Sequence, residues 1–145
     1  AAVVGDRDLG LASAAEAGVD LQRLAVVDPP PPGVWGEVIA ALVAALDLVL
    51  VAPGYRVSGI VVRRLIARCR ERGSVLIRVG DNPWPDRCDL RLTVLTSTWS
   101  GPDDGHGRLR SRRVEVVADG RGVAAGSRRS ELFLPGPHGA ASDAG

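Results

Sequence analysis

The chain has 145 residues, of which 46% are apolar, 24% are charged and only 3% are aromatic, and its formal net charge is +1. These values predict one domain with an aliphatic core, and the charge balance does not require a nucleic acid or a membrane as partner. Not one of the 18 basic residues is Lys, which excludes a phosphate-loop lysine, a Schiff base and a lysine general base within these residues.

Strands and helices alternate through the first eighty residues. Short apolar runs bounded by Gly, Pro or Asp are typical of buried parallel strands, and apolar residues spaced i, i+3, i+4 and i+7 are typical of helices. The predicted strands are 1–4, 24–27, 48–51 and 75–79, and the predicted helices are 9–17, 35–46 and 57–72. This order predicts a parallel sheet with right-handed crossovers and helices on both faces.

The pattern changes to antiparallel strands in the last third of the chain. Leu90, Leu92 and Val94 alternate with polar residues, which predicts a strand with one buried face. Further strands are predicted at 109–118 and 131–134, and we expect all of them to extend the parallel sheet as a hairpin appendage. We predict one domain over residues 1–135 and a disordered tail over 136–145.

The sequence indicates neither a metal site nor a membrane anchor. Cys69, Cys88, His106 and His138 are scattered, and a structural zinc site needs about four ligands in one cluster, so we predict two buried thiols and no metal. The longest apolar stretch is interrupted by Asp47 and is shorter than the ~20 residues of a membrane span. Without a signal-peptide pattern, we expect a cytoplasmic protein.

The order of elements resembles the RecA-type recombinase core, entered just after its phosphate-binding helix. The resemblance implies a RecA-like three-layer α/β fold whose phosphate-loop part precedes residue 1. The matching segments are Ala17-Gly18-Val19-Asp20-Leu21, Leu48-Val49-Leu50-Val51 and Ser74-Val75-Leu76-Ile77.

Four further segments carry a closer likeness: Asn82-Pro83-Trp84-Pro85, Trp99-Ser100-Gly101, Asp119-Gly120-Arg121-Gly122 and Glu131-Leu132-Phe133-Leu134-Pro135. In these segments the chain resembles the ImuA-type accessory proteins of bacterial mutagenic repair, particularly their actinobacterial version. The resemblance implies a role in SOS-induced mutagenesis, at the nucleoid. It also implies two partners, an inactive Y-family-like polymerase subunit and an error-prone replicative-type DNA polymerase.

The groups that a RecA-type ATPase needs are missing from these residues. Such an enzyme holds phosphates with a Gly-rich loop and its Lys, and magnesium with a carboxylate at the end of the central strand. Here the central strand runs into Ala52-Pro53, so a methyl group replaces that carboxylate. Asp6, after the first strand, is the best surviving candidate for a water-orienting base, and the alternative is a solvated loop residue or a helix cap. We therefore expect no catalysis and no nucleotide cofactor.

Candidate contacts with a partner or with single-stranded DNA are basic or aromatic. Trp84 either stacks on a base or packs under its own loop. Other arginines lie in the predicted strand at 109–118 or directly before it. They either contact phosphates or protect a sheet edge through their charge. The candidate arginines are Arg63, Arg64 and Arg68 on the third helix and Arg108, Arg110, Arg112 and Arg113 in the C-terminal strands.

Three functions remain open on the sequence alone. The first is a non-catalytic accessory protein for error-prone translesion synthesis that binds a polymerase-like partner. The second is the rear part of a RecA-like ATPase acting on single-stranded DNA. The third is a protein like the cell-division inhibitors that DNA damage induces, which share a RecA-like fold.

Overall fold

The computed structural model describes residues 1–86, 88–101, 107–121, 126–136 and 139–144. Two compact units result, and the first comprises Ala1–Ala15 and Val19–Asp86. The second comprises Glu16–Gly18 and the described residues after Asp86. Each of the two sheets has four strands, one sheet parallel and the other antiparallel. The mixed α/β class that we expected is therefore confirmed.

Four parallel strands form the sheet of the first unit. They lie in the order β2-β1-β3-β4, and every neighbouring pair is parallel. Their bounds are β1 (Ala2–Val4), β2 (Ala25–Val27), β3 (Leu48–Val51) and β4 (Val75–Arg78). Parallel neighbours cannot be joined by tight turns, so a longer crossover connects each strand to the next.

Helices occupy these crossovers, as the apolar spacing predicted. The elements are helix α1 (Leu11–Glu16), a single 3-10 turn (Leu21–Arg23), helix α2 (Trp35–Ala45) and helix α3 (Gly59–Arg72). Ser58 caps the amino end of α3, where its Oγ accepts a hydrogen bond from the Val61 backbone N–H at 3.3 Å. Gly73 ends the helix in the left-handed region with a φ of 69°, as expected for a glycine stop.

The core of the first unit lies between one face of the parallel sheet and helices α2 and α3. Alternate residues of β3 point to this face, so Val49 and Val51 are fully buried while Leu48 and Leu50 are only partly buried. The core cluster consists of Val4, Trp35, Ile39, Val43, Val49, Val51 and Leu65. Because α2 and α3 also contact each other, they form one continuous helical layer over this face.

The opposite face of the parallel sheet does not match our expectation of a second helical layer. Val3 at its centre is buried, whereas Val26, Val75 and Ile77 are exposed. Helix α1 has only six residues and buries none of them. With helices on both faces, both faces of these strands would be buried. In the described part of the first unit, helices α2 and α3 cover only one of them.

Among the described residues of the second unit, four antiparallel strands form a sheet. Their order is β5-β6-β7-β8, with bounds β5 (Leu90–Ser100), β6 (Ser111–Gly120), β7 (Arg128–Phe133) and β8 (Ser142–Asp143). The predicted antiparallel strands are confirmed, but the expectation that they extend the parallel sheet is wrong. Strand β5 pairs with β6, the next strand along the chain. Closing the short loop between them costs less conformational entropy than pairing with a more distant strand. Strand β8 lies within the segment predicted to be a disordered tail.

Strand β5 also corrects the prediction of a half-buried strand. All eleven of its residues are exposed, including Leu90, Leu92 and Val94. The alternation correctly placed these three side chains on one face, because their partners on β6 share that face. In the described structure they remain exposed because β5 is the outer strand of a sheet whose described elements include no helix of its own.

Candidate binding surfaces

The carboxyl ends of the parallel strands are the expected position of a ligand site. In α/β proteins ligands bind beyond the carboxyl ends of the strands, where connections to neighbouring strands diverge. Here β1 has β2 as its neighbour on one side and β3 on the other, so the chain changes direction across the sheet after β2. We call this edge, formed by the residues that follow β1 to β4, the carboxyl edge.

A cavity of about 260 Å³ lies at the carboxyl edge beside β1 and β2. It is lined by Asp6, which follows β1, and by Asp28, which follows β2, together with Arg7 and apolar residues. The Asp6 Oδ1 accepts a hydrogen bond from the Asp8 backbone N–H at 3.1 Å, so this carboxylate closes a local turn. The lining contains two carboxylates and one arginine, and its net negative charge disfavours binding of a polyanionic triphosphate.

The centre of the carboxyl edge is closed by backbone contacts. The Ala52 N–H donates to the Val4 carbonyl oxygen at 2.9 Å, continuing the strand ladder past the end of β3. Gly5 has a φ of 79°, and a Cβ placed on it would lie 3.1 Å from the Ala52 carbonyl oxygen. The residue that follows β3 at this edge is an alanine, which carries a methyl group and not a carboxylate.

Trp84 lies on the loop that follows β4 and is partly buried. It packs against the core cluster of the first unit. The same loop is tied to the end of β3 because the Asn82 Nδ2 donates to the Pro53 carbonyl oxygen at 3.2 Å. This geometry is the one expected for a tryptophan that supports its own loop, and the stacking alternative stays a prediction.

The three candidate arginines of α3 share the solvent-facing side of that helix. Arg63, Arg64 and Arg68 are all exposed, as the helical spacing predicted, whereas Val62 and Leu65 are buried. None of the three arginines forms a salt bridge with another residue in the described ranges. They provide an exposed basic strip that has no salt-bridge partner among the described residues.

The candidate arginines of the second unit do not form one patch. Neighbouring residues of a strand point to opposite faces, and the structure separates Arg112 from Arg113 in this way. Arg113 forms a salt bridge with Glu131 of β7. On the same face Arg129 pairs with Glu115 at 3.0 Å, so this basic charge is largely balanced. Arg108 and Arg110 precede β6 and are exposed.

Arg112 lies on the other face of the antiparallel sheet, beside Trp99. Its guanidinium carbon is 5.9 Å from the centre of the Trp99 ring, within the range of a cation–π contact. Its Nε donates to the Ser97 Oγ at 2.7 Å. These contacts hold the Arg112 side chain against β5.

The sequence profile of the MT3502 N-terminal domain matches residues 1–86. The chain belongs to the MT3502 N-terminal domain family. The matched region ends at Asp86, which is also the last residue of the first compact unit. The MT3502 N-terminal domain of this chain therefore contains the parallel sheet, helices α2 and α3 and the whole carboxyl edge. The antiparallel sheet lies outside the matched region.

A curated relative shows that the likeness continues past this domain. It is the uncharacterized protein Rv3395c of Mycobacterium tuberculosis (strain ATCC 25618 / H37Rv), which is 38% identical over 130 residues. The alignment covers 83% of this chain and 62% of the relative. The chain thus spans less than two thirds of the length of this relative.

The described residues contain neither a cluster of metal ligands nor a membrane-spanning helix. No three side chains of His, Cys, Asp or Glu come together there in a group that could hold a metal ion, and His106 and His138 lie outside the described residues. Among the helices of the described residues, none is both long enough and apolar enough to cross a membrane. Cys69 and Cys88, predicted as buried thiols, are free and partly buried.

Sequence reasoning missed two features of these surfaces. One is Asp28, which faces the same cavity as Asp6. The signal was present, because the ends of parallel neighbours meet at one edge and Asp28 directly follows β2. The other is the exposed apolar face of the antiparallel sheet, where alternation alone could not show that the face is left open.

Proposed function

We propose that this protein is a non-catalytic, ImuA-type accessory protein of SOS-induced, error-prone translesion DNA synthesis that acts by holding a polymerase-like partner. The support comes from the sequence motifs quoted above, which fall in both compact units. Membership of the MT3502 N-terminal domain family is consistent with an ImuA-type protein. The proposed partners are an inactive Y-family-like polymerase subunit and an error-prone replicative-type DNA polymerase, and the proposed place of action is the nucleoid.

The observation that carries the non-catalytic part is the end of β3. Phosphoryl transfer depends on positioned charges around the phosphates and their magnesium ion. Here the strand continues into Ala52-Pro53, and the Ala52 N–H is used in the ladder with Val4. The cavity next to it presents Asp6 and Asp28, whose negative charges oppose a phosphate. These residues support recognition of a partner and not hydrolysis of a nucleotide.

The basic strip of α3 supports a protein partner with an acidic surface. Exposed arginines that form no salt bridge within the described residues can steer an oppositely charged partner and form bidentate contacts with carboxylates. Arg63, Arg64 and Arg68 meet this description. Direct contact with single-stranded DNA is a weaker proposal, because Arg113 and Arg129 are already paired with glutamates on the antiparallel sheet.

Co-purification with the two polymerase-type proteins tests the proposed function. The full chain is expressed with each candidate partner, and we expect a complex that forms without any added nucleotide. The variant Arg64→Glu should weaken the complex, while the control Arg23→Glu changes the charge equally at an exposed site away from α3 and should not. In cells, deletion of the gene should lower the frequency of damage-induced mutations.

Three results would contradict this proposal. Magnesium-dependent retention of ATP by this chain would favour the ATPase alternative. Recovery of cell-division proteins, and not polymerases, from damaged cells would favour the inhibitor alternative. A complex that forms with neither polymerase-type protein would remove the proposed partner.

A further inference from the structure

The strand register sorts the side chains of the antiparallel sheet onto two chemically different faces. Residues directly opposite each other on antiparallel strands share a face. Val94 lies opposite Val116, and Trp99 lies opposite Arg112. A bulge between Val94 and Thr96 shifts the alternation of side chains by one residue. Leu90 and Trp99 therefore lie on the same face, although they are nine positions apart. We call this the apolar face, and it carries Leu90, Leu92, Val94, Trp99, Val114 and Val116.

The apolar face becomes more exposed toward its outer strand. On the central strand β6, Val114 is 1% exposed and Val116 is 9% exposed. On β5 the exposed fraction is 54% for Leu90, 65% for Leu92 and 47% for Val94. Scattered apolar residues are normal on a protein surface, but a contiguous row along one strand marks an interaction site.

Charge is distributed unequally between the two faces. The carboxylates of β5, β6 and β7 all lie on the opposite face, where Glu115 and Glu131 are paired with arginines. The charged residues that these three strands place on the apolar face are Arg112, opposite Trp99, and Arg128, opposite Ala118. Asp143 of β8 also lies on this face, opposite Leu132, across the sheet from β5. The exposed apolar row is therefore bordered by positive charge.

We propose that the apolar face docks an acidic amphipathic segment of the polymerase-like partner. The apolar side chains of that segment cover Leu90, Leu92, Val94 and Trp99, and its carboxylates meet Arg112 and Arg128. The inference rests on the proposed function, because it names the surface and the chemistry through which the partner is held.

The composition of the face favours a protein over a nucleic acid. Platforms for single-stranded nucleic acids stack bases on several aromatic rings and follow the phosphates with a run of cations. Among the exposed side chains that β5 places on this face, the aromatic ring of Trp99 lies beside three aliphatic side chains and Ser97. Aliphatic surface gains most from burial against other hydrocarbon, which the apolar side of an amphipathic segment supplies.

Binding of two matched synthetic peptides tests the proposal. Both are amphipathic helices with identical leucine positions, and one carries Glu where the other carries Lys. We expect the full chain to bind the acidic peptide and not the basic one, with affinity falling as salt is added. The variant Leu92→Glu should weaken binding about tenfold or more, as is usual for a central apolar anchor.

Thr93→Glu is the matched control for Leu92→Glu. It adds the same charge one residue away, on the opposite face of the same exposed strand, and should leave peptide binding unchanged. The double variant Arg112→Gln, Arg128→Gln should weaken binding of the acidic peptide about tenfold and remove most of its salt dependence.

Several outcomes would overturn the inference. Equal binding of both peptides would reduce the face to a nonspecific apolar surface. Binding of an oligothymidine at a site sensitive to Leu92→Glu would identify it as a nucleic-acid platform, and self-association lost in Leu92→Glu would identify it as a contact between copies. A large loss of stability in Leu92→Glu but not in Thr93→Glu would show that the face is covered within the chain.

The partner complex separates failure of this inference from failure of the proposed function. If the wild-type chain binds a polymerase-type protein and Leu92→Glu binds it equally well, the docking surface is wrong and the function stands. If the wild-type chain binds the acidic peptide but neither polymerase-type protein, the proposed function is wrong and the peptide-binding face stands.

Discussion

Gly36 of helix α2 faces Val61 of helix α3 at a distance that leaves no room for a methyl group. A Cβ placed on Gly36 would lie 2.9 Å from the Val61 Cγ1. Small residues at such crossings allow two helices to approach closely, and here the approach brings both helices onto the same face of the parallel sheet. The core cluster beneath them depends on this approach, since Trp35, Ile39 and Leu65 come from these helices.

The variant Gly36→Ala should therefore lower the free energy of unfolding. Alanine has the better helix propensity, by about 1 kcal/mol in a helix interior. Overpacking costs typically about 1–3 kcal/mol, and the stiff Val61 side chain cannot turn away freely, so we expect a net loss of about 1 kcal/mol. Denaturant unfolding of the full chain measures the difference.

The double variant Gly36→Ala, Val61→Ala controls for the cause of that loss. If the contact is responsible, Gly36→Ala should cost less in the Val61→Ala background, with a coupling free energy of at least about 0.5 kcal/mol. Purely additive effects would show that the helices adjust without strain.

The amino-terminal cap of α3 gives a second stability prediction. The Ser58 Oγ is the acceptor for the Val61 backbone N–H, and without it that donor loses its partner. The variant Ser58→Ala should lower the free energy of unfolding by about 1 kcal/mol, while Ser58→Asp, which keeps an acceptor, should preserve stability. Equal stability of the two variants would show that the cap contributes little.

Helix α3 shows how much of the fold the sequence could predict. Its apolar spacing indicated which side would be buried, and Val62 and Leu65 are buried while Val61, Ile66 and Cys69 are partly buried. Local signals also marked its end at Gly73. Such features depend on residues a few positions apart, so the sequence states them directly.

The antiparallel sheet shows what the sequence could not predict. The alternation of Leu90, Leu92 and Val94 identifies a common face, but the burial of that face depends on which distant elements pack on it. The choice of strand partner is similarly nonlocal, which explains why the separate sheet was not expected. For the candidate surfaces, Asp6 was found from its place after β1, whereas its neighbour Asp28 required the pairing of β1 with β2.

A third prediction concerns Arg78, a partly buried arginine at the end of β4. Val51 and Arg78 are opposite each other on β3 and β4, so the arginine side chain shares the face that packs against the helices. Its Nη1 donates to the Gly80 carbonyl oxygen, but its Nε and Nη2 are buried without a hydrogen-bond partner in the described structure. Burying such donors unpaired costs about 1–3 kcal/mol each.

The variant Arg78→Leu should therefore keep or raise the free energy of unfolding, by up to about 1 kcal/mol after the lost Nη1 contact is included. Arg56→Leu is the matched control, because it removes the same charge from an exposed loop position and should change stability by less than about 0.5 kcal/mol. A clear loss of stability in Arg78→Leu alone would show that the guanidinium is well satisfied in solution.

The last prediction uses the thiol of Cys69, which lies on α3 and packs against the core cluster. Burial raises the pKa of the Cys69 thiol above its usual value, because desolvation disfavours the thiolate. In a Cys88→Ser variant, the rate at which iodoacetamide alkylates Cys69 should rise with pH, since only the thiolate reacts. We expect the pH of half-maximal rate to be higher for the folded chain than for the chain in denaturant. Shielding of the thiol lowers the whole rate curve without moving its midpoint, so the midpoint reports the pKa.

By linkage, the raised thiol pKa of Cys69 also makes the free energy of unfolding depend on pH. Its contribution to stability is fully present below the unfolded thiol pKa of about 8.5 and is lost as the pH rises through the folded pKa. A midpoint in the folded chain at or below the denatured one would contradict the burial of this thiol.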